Sequence, residues 1–583
     1  MQYDYDIAII GSGISGAMLG AILAKNGLRV VILDAGTHPR FAVGESMIPE
    51  SGILVQLLAR RYGIPELGYP GELNRLMKHI GTSSAGIKLA FSFAWNGKGR
   101  EHDPSDLVST PVLAPEAHLF RQDVDAYYVA LAVRLGATIK QMARIKDIDA
   151  DDAGVSLGLV SGESYRVRYV VDAAGYRSPV ADRFKMRENA PPMQCNLRSL
   201  FTHFVGVKLY EEAIAGPETH GSPTHLAQST LHHIFGRGWL WIIPFDNQPF
   251  STNPLCSVGL QFDIGRHGPA KDPETEFRQF LRDYPSAARH FEGAGRVREW
   301  TVAPHLNYNS RYAVGDRYCL LGHAAGFVDP LFSRGLSITF ESLNRVVPKI
   351  LRAAKEDRWR KEDFASYQAY IDEVVRINDR LVANSYRAFE SFALWNAWFR
   401  VWLSGSYIGV LRLRKILADY VASGDDAALD RAFEEATYAG HLSIESHKFE
   451  ALFESAATTL ESFDAGKTSE AEAIAVLQDL FSAAGEHLPL DFADFTNRFV
   501  SRPTAEFAAS LLNWANNAPD GLRDKFARGP NAPGFDFQDQ FRYGSRLDLI
   551  AQADAKLAEM RRRIGSGTTT PTQQMPVPEP AEQ

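Results

Sequence analysis

Lys88 lies in a segment that could hold an amine inside a narrow channel. Residues 86–95 read GIKLAFSFAW, and a strand with this pattern would direct bulky apolar side chains to one face and four other side chains to the opposite face, Lys88, Ala90, Ser92 and Ala94. Exposed strand surfaces usually carry larger polar groups than these neighbours, so the pattern favours a channel lysine over a solvent-facing one. Burial lowers the pKa of an amine, which could then act as a charged hydrogen-bond donor or as a neutral nucleophile.

A glycine-rich turn near the start of the chain is suited to bind a dinucleotide. Residues 5–10 form a short apolar run typical of a buried strand, and residues 11–16, GSGISG, then open a helix. The next strand ends in Asp34, 23 residues after Gly11, where an acid accepts ribose hydroxyl groups. This context favours a nucleotide site over a structural turn, with contacts expected at Gly11, Gly13, Ser15 and Gly16.

Two later strings could also carry chemistry. Residues 238–244 read GWLWIIP, in which period-two alternation would bury Trp239 and Trp241 on one face of a core strand. Residues 327–335 read FVDPLFSRG and run into a helical pattern from Leu336. The first amides of a helix are unpaired donors at the positive end of its dipole, so this helix start suits an anion; a plain helix cap is the alternative.

Taken together, these strings resemble the motifs of the flavin-dependent halogenases, GxGxxG, GWxWxIP and FxxPxxSxG, in the order that the family uses. The resemblance covers residues 5–345 and includes Lys88, which matches the lysine of the family. It implies an α/β fold with an FAD-binding Rossmann-like core, similar to that of para-hydroxybenzoate hydroxylase, and a mixed β-sheet on the substrate side.

The resemblance also implies further flavin contacts. Residues 44–46, GES, resemble a strap over the flavin, residues 170–175 and 318–326 resemble two returns of the chain to the cofactor, and an arginine follows Phe120. The second return departs from the usual GDAAG, because a histidine replaces the aspartate that bonds the ribityl chain. The expected cofactor contacts are Glu45, Ser46, Arg121, Gly175, His323, Gly326 and Leu336. Solvated-loop and surface-helix interpretations remain open for the strap and the arginine.

The chemistry implied is halogenation. Reduced FAD (FADH2) and oxygen would convert chloride or bromide into hypohalous acid, with the halide bound at Ser333, Arg334 and Gly335. Lys88 would pass the oxidised halogen to an electron-rich aromatic ring, either as a hydrogen-bond donor or as a haloamine. Trp239 and Trp241 would fill the space between flavin and substrate. A separate flavin reductase would supply the reduced cofactor, because the sequence shows one dinucleotide motif only.

One position that differs from the motif of the tryptophan halogenases indicates the substrate class. Tryptophan halogenases carry a glutamate immediately before the serine of FxxPxxSxG, and this chain has Phe332 there. Without that carboxylate we expect an activated ring, a phenol or another natural-product aromatic, presented free or tethered to a carrier protein. The general base is not identifiable from the sequence.

Two alternatives remain at this point. One is an aromatic hydroxylase or a flavin reductase of the same fold. The other is a flavoprotein without catalytic activity, for which His323 in place of aspartate is the sequence argument.

The chain is long enough for several domains, at roughly 100–200 residues each. We expect an FAD-binding core over 1–345, a helical C-terminal domain over 346–564 and a disordered tail over 565–583. Within the core, the FAD parts would be about 1–78, 105–190 and 298–345, and the substrate-side sheet about 79–104 and 191–297.

Composition excludes several classes of protein. A net charge of -8 gives no general attraction to nucleic acid. The aromatic segment 392–413 is interrupted by polar residues and is too short to span a membrane. Three cysteines and the lack of a signal peptide indicate a cytoplasmic protein. His232, His233, Glu445 and His447 lack metal-ligand spacing, so we expect no metal site and interpret them as surface or loop residues.

Overall fold

The structure is a computed structural model that describes residues 3–80, 84–215, 220–248, 251–434, 447–500, 505–519, 522–526 and 558. The expected disordered tail and Glu445 lie outside these residues. The strands are β1 Tyr5–Ile10, β2 Val30–Leu33, β3 Gly86–Trp95, β4 Leu107–His118, β5 Thr138–Lys140, β6 Ile145–Asp151, β7 Gly154–Leu159, β8 Ser164–Asp172, β9 Leu197–Val205, β10 Ser229–Phe235, β11 Gly238–Pro244, β12 Leu255–Asp263, β13 Gly295–Arg296, β14 Thr301–Ala303, β15 Val314–Gly315 and β16 Tyr318–Leu320.

The α-helices are α1 Ile14–Lys25, α2 Pro49–Arg61, α3 Leu73–His79, α4 Arg121–Arg134, α5 Pro179–Arg183, α6 Ile264–His267, α7 Pro273–Asp283, α8 Pro285–Arg289, α9 Gly335–Glu356, α10 Ala365–Ala388, α11 Phe392–Ser423, α12 Asp426–Glu434, α13 His447–Asp464, α14 Glu470–Ala484, α15 Ala505–Asn517 and α16 Arg523–Phe526.

The first sheet is the Rossmann-like layer that the N-terminal pattern predicts. Its strands run in the order β15-β16-β8-β1-β2-β5, with β6 and β7 joined to β8. β1 pairs in parallel with both β2 and β8. The apolar runs of β1 and β2 are buried, as strands covered on both faces require. The glycine turn that follows β1 therefore sits at the carboxyl edge of a parallel sheet.

The second sheet is mixed and runs in the order β13-β9-β12-β11-β10-β3-β4. Its strands pair antiparallel except β10 and β3, which are parallel. β4 and β14 belong to this sheet because they pair with β3 and β9. The sequence-based division assigned both strands to the FAD parts, because pairing partners cannot be deduced from one strand alone.

A register shift interrupts the pairing of β3 with β4 next to Lys88. Lys88 lies opposite Glu116, whereas Ala90 lies opposite Pro111. The extra residues of this irregularity lie in β4, because two steps along β3 correspond to five along β4. The long Lys88 side chain reaches the ring of Phe91, three residues further along β3.

The C-terminal region is helical, as predicted, but it does not begin at residue 346. Helix α9 continues without a break from Gly335 to Glu356, because its apolar positions remain buried on both sides of that boundary. Residues of α9, α10 and α11 share one buried apolar cluster with β1, β2 and α1. None of the described helices combines the length and apolarity needed to cross a membrane.

Candidate active site

The Lys88 side chain is fully buried, with 0 % exposure. Its Nζ lies 3.6 Å from the centre of the Phe91 ring and donates a short hydrogen bond to the carbonyl of Met47. The ring face and the carbonyl both favour the charged form of an amine. Burial is nevertheless the larger effect and lowers the pKa of Lys88 to about 8.

Two glutamate side chains interact with this amine. The small neighbours on β3 predict a lysine without such partners, and the structure differs in this respect. Glu116 Oε2 lies 3.6 Å from Lys88 Nζ, and the charge of Glu50 also raises the pKa of Lys88. Burial raises the pKa of Glu116 to about 8, although the attraction of Lys88 opposes it. Lys88 therefore lies in a small buried network of charges.

The strap predicted at residues 44–46 lies directly beside this network. Glu45 and Met47 form backbone hydrogen bonds with Leu119 and Ala117, which attach the strap to the end of β4. The Ser46 hydroxyl lies 2.9 Å from that of Thr230 in β10. Met47, the residue directly after the expected flavin strap, also accepts the hydrogen bond of Lys88. The strap and the contact that holds the lysine therefore belong to one continuous segment.

Arg121 begins α4 and is buried rather than on a surface helix. It forms an ion pair with Asp125 at 2.8 Å and donates to the carbonyls of Val43 and Gly44. Its charge also lowers the pKa of His323. The structure thus brings the strap, the arginine and the second return of the chain to one place, as the resemblance implies.

The glycine turn has the geometry of a phosphate-binding loop. Gly11 adopts a left-handed φ of 96°, and a Cβ on Gly16 would lie 2.0 Å from the carbonyl oxygen of Gly11. A Cβ on Gly13, by contrast, would have no neighbour closer than Asp125 Oδ2 at 3.8 Å, which leaves room above the first turn of α1. Ser15 lies in that turn, and Gly175 adopts a left-handed φ of 70°.

Asp34 directly follows β2, but its oxygens already accept several hydrogen bonds. They come from the guanidinium of Arg40 and from the amide and hydroxyl of Ser12. Burial would raise the pKa of Asp34, but these bonds outweigh it and hold the pKa far below its usual range. Asp34 is therefore a fixed anion, and Arg40 is a cation at the nucleotide edge that the motif did not predict.

His323 lies against the first residue of α9. A Cβ on Gly335 would lie 2.8 Å from His323 Cε1, so this histidine requires glycine at the helix start. His323 Nε2 is sealed from solvent and has no hydrogen-bond partner among the described residues. Burial lowers the pKa of His323 to about 4, so the ring is neutral at pH 7. A neutral imidazole with an unused nitrogen fits the ribityl chain of FAD.

The predicted anion site lies at the start of α9, where Ser333 differs from the other predicted residues in its backbone hydrogen bond. The amide of Ser333 donates to the carbonyl of Pro330 at 2.8 Å, so it is used within the turn and is not a halide donor. Gly335 and Leu336 are the first residues of the helix, where amides lack intrahelical acceptors. The buried Arg334 side chain donates to Asn378.

Two cavities border this loop. The first is lined mainly by apolar and aromatic side chains, including Phe91, Phe332, Trp402 and Tyr407. The second is lined by residues predicted to contact the flavin, including His323 and Gly326, and by residues predicted to contact the halide, Arg334 and Gly335. Phe332 lines both cavities, and its ring stacks on Trp402 at 4.8 Å.

Trp239 and Trp241 are buried in β11, and neither of them lines these two cavities. Trp239 Nε1 donates to the Tyr386 hydroxyl at 2.9 Å, and that hydroxyl donates to Asp329 at 2.9 Å. Burial raises the pKa of Asp329 to about 7. Trp241 Nε1 donates to Ser257 at 3.1 Å. The hydrogen bonds of Trp239 and Tyr386 connect the GWxWxIP strand to the FxxPxxSxG loop and to α10.

The adjacent histidines of β10 are not surface residues, which corrects their interpretation. His232 is 1 % exposed and stacks on Phe93 at 4.3 Å, whereas His233 Nε2 lies 3.1 Å from His290 Nε2. Both are buried because β10 is a central strand of the second sheet. Among the described residues no group of three His, Cys, Asp or Glu side chains is arranged to hold a metal ion.

Comparisons with known proteins agree with this geometry. The model of the NAD(P)-binding Rossmann-like domain matches residues 9–61. Tetracycline 7-halogenase from Kitasatospora aureofaciens is 40% identical over 88% of this chain and 92% of its own. Monodechloroaminopyrrolnitrin halogenase PrnC from Pseudomonas fluorescens is 38% identical over 82% of this chain and 84% of its own. The crystal structure of halogenase PltM with phloroglucinol and FAD superposes with a TM-score of 0.83, at 44% identity, over 85% of this chain and 99% of that one.

The chain belongs to the flavin-dependent halogenases. It is therefore an FAD-dependent enzyme that halogenates aromatic substrates, as in natural-product biosynthesis, and not the hydroxylase, reductase or inactive flavoprotein that the sequence left open.

Sequence reasoning missed three groups in the site of this halogenase. Glu50 lies in the first turn of α2, Glu116 lies in β4, and Tyr386 lies in α10. None belongs to a motif, and each reaches the site from a different element. The charge at residue 50, four positions after the strap and at the start of a helix, was the signal available for Glu50.

Proposed function

We propose that this halogenase chlorinates or brominates a phenol or a similarly electron-rich natural-product ring, and that Lys88 delivers the oxidised halogen. The observation that carries the proposal is a fully buried ammonium on Phe91, a residue that also lines an aromatic cavity. Phloroglucinol, which PltM binds, is a phenol and so resembles this substrate class.

Bound reduced FAD supplies the electrons with which oxygen oxidises the halide to hypohalous acid. The chain contributes the glycine turn, the strap, Arg121 and His323 to hold the cofactor. The first amides of α9, at Gly335 and Leu336, hold the halide. Phe91 and Met47 fix the Lys88 amine, which donates a hydrogen bond to the oxygen of the hypohalous acid and polarises its bond to the halogen.

The test is a Lys88→Ala variant assayed with a panel of phenols, indoles and pyrroles in chloride or bromide. The panel includes rings that are free and rings tethered to a carrier protein. We expect wild type to give halide-dependent product, and the variant to lose about a hundredfold or more in kcat while still binding FAD. Lys98→Ala is the matched control, because Lys98 lies just after β3 with its side chain 70% exposed. Full activity of Lys88→Ala would refute the assignment.

We further propose that a separate flavin reductase supplies the reduced cofactor. The glycine-rich dinucleotide motif at residues 11–16 is the one such motif in the sequence, and in this fold it serves FAD. The three cysteines, all buried free thiols, are consistent with a reducing cytoplasm, where we place the protein.

A further inference from the structure

We propose that Glu50 is the substrate-binding base of this halogenase, and that it selects rings carrying an ionisable hydroxyl group. Glu50 is 1 % exposed and lies in the first turn of α2, at the wall of the aromatic cavity. Among the described residues that line this cavity, Glu50 is the single charged side chain. The inference rests on the proposed function, which supplies the oxidised halogen.

The position of Glu50 is fixed from two sides. The Ser406 hydroxyl of α11 donates to Glu50 Oε1 at 3.2 Å. The carboxylate also lies at the N-terminal end of a helix, where negative charge is stabilised. A carboxylate held in this way in an apolar cavity is a strong hydrogen-bond acceptor, and a phenol hydroxyl is the matching donor for an aromatic ligand.

The charge of Glu50 acts on groups at both proposed sites, the Lys88 amine and the halide site at the start of α9. Its field acts on Lys88, on Glu116 and on Arg334 at the start of α9. A ring anchored at Glu50 would therefore lie in the cavity beside Phe91, close to the amine that carries the halogen. Phe332 occupies the position where tryptophan halogenases carry a glutamate, and it lines the same cavity. In this chain Glu50 of α2 supplies a carboxylate from another wall of the cavity, where it would bind a hydroxyl group of the ring.

The reaction balances with this base. Glu50 takes the phenol proton, and a carbon of the resulting phenolate attacks the halogen of the hypohalous acid. The carbon–halogen bond forms, the oxygen–halogen bond breaks, and the oxygen leaves as water with a proton from Lys88. The neutral Lys88 amine then removes the ring proton, which restores the aromatic phenolate, and Glu50 returns its proton to the oxygen. The ring is oxidised by two electrons and the halogen is reduced by two.

The experiment compares 3-methoxyphenol with 1,3-dimethoxybenzene, two activated rings that differ by one methyl group on oxygen. We expect wild-type holoenzyme to favour the phenol by about a hundredfold in kcat/KM, because the ether cannot donate a hydrogen bond to the buried carboxylate. Glu50→Gln should reduce this ratio at least tenfold. The matched control is Glu72→Gln, whose side chain lies outside the cavity in an ion pair with Arg75. An unchanged ratio in Glu50→Gln would show that the preference is steric and would overturn the proposal.

A binding measurement and a charge-conserving variant provide further tests of the role of Glu50. Calorimetric binding of phloroglucinol to the oxidised, FAD-loaded protein should weaken at least tenfold in Glu50→Gln, and it needs no turnover. If wild type shows this binding but no halide-dependent product, the proposed function fails while the role of Glu50 in binding survives. Glu50→Asp, which keeps the charge, should retain part of the preference and replaces Glu50→Gln if that variant does not fold. Unchanged binding in both variants would also overturn the proposal.

Discussion

At the residue scale, the central feature is an amine whose pKa is set by opposing effects. Burial lowers the pKa of Lys88, whereas Glu116 and Glu50 raise it. The pKa of about 8 leaves most of the amine charged at neutral pH. The proposed hydrogen-bond donor requires this charged form, whereas a haloamine would form from the neutral amine.

The pH dependence of kcat should report this balance. If the ammonium is the active form, activity falls as the pH rises through about 8, the pKa of Lys88. Glu116 lies 3.6 Å from Nζ and becomes negative as the pH rises through about 8, which stabilises the ammonium. Glu116→Gln removes this attraction and so lowers the pKa of Lys88. The alkaline limb of the profile should move down by about one pH unit.

The control for this shift is Glu101→Gln, since Glu101 lies on the surface in an ion pair with Arg289 and its side chain is 55% exposed. Its pH profile should match that of wild type. A Glu116→Gln profile that moves to higher pH would contradict the donor role of Lys88.

At the element scale, three segments meet through one tyrosine. Tyr386 of α10 accepts a hydrogen bond from Trp239 of β11 and donates one to Asp329 of the FxxPxxSxG loop. Helix α10 therefore contributes to the position of both halogenase motifs. Its role could not be predicted, because the contact joins residues 147 and 57 positions apart.

Tyr386→Phe should lower the free energy of unfolding by about 1–3 kcal/mol, because it leaves buried partners of the hydroxyl unsatisfied. Urea or thermal unfolding of the FAD-free protein measures this change. Tyr165→Phe is the control, since the Tyr165 hydroxyl bonds Glu163 at the surface. Its effect should remain within about 0.5 kcal/mol. Equal effects in both variants would argue against a buried network at Asp329.

The elements show which parts of the site follow from local pattern. The turn after β1, the buried strand β11 and the start of α9 were predicted because each depends on a short contiguous string. The register shift beside Lys88 and the membership of β4 in the second sheet were not, since both depend on pairing with distant strands. Glu116 reaches Lys88 only through that pairing.

At the scale of the whole molecule, one apolar cluster joins the Rossmann-like layer to the C-terminal helices. The fold class was predictable because apolar runs, glycine turns and helical periods are all local. The domain boundary was not, because α9 belongs equally to the flavin site and to the helical region.

This continuity predicts that FAD stabilises the entire chain. At a free FAD concentration of 100 times Kd, the gain is about 2.7 kcal/mol, which appears as a higher Tm. Gly16→Ala should lose this shift, because its Cβ would lie 2.0 Å from the Gly11 carbonyl oxygen. Lys88→Ala should keep it. A normal FAD-dependent shift in Gly16→Ala would show that the cofactor does not use this turn.

Phe332 has one more consequence, because a single aromatic ring borders both chambers. We expect this ring to keep the organic substrate away from the cofactor, so that only the small hypohalous acid passes from one cavity to the other. The orientation of the bound substrate then decides which ring carbon is halogenated. A smaller side chain at residue 332 would therefore lower the regioselectivity.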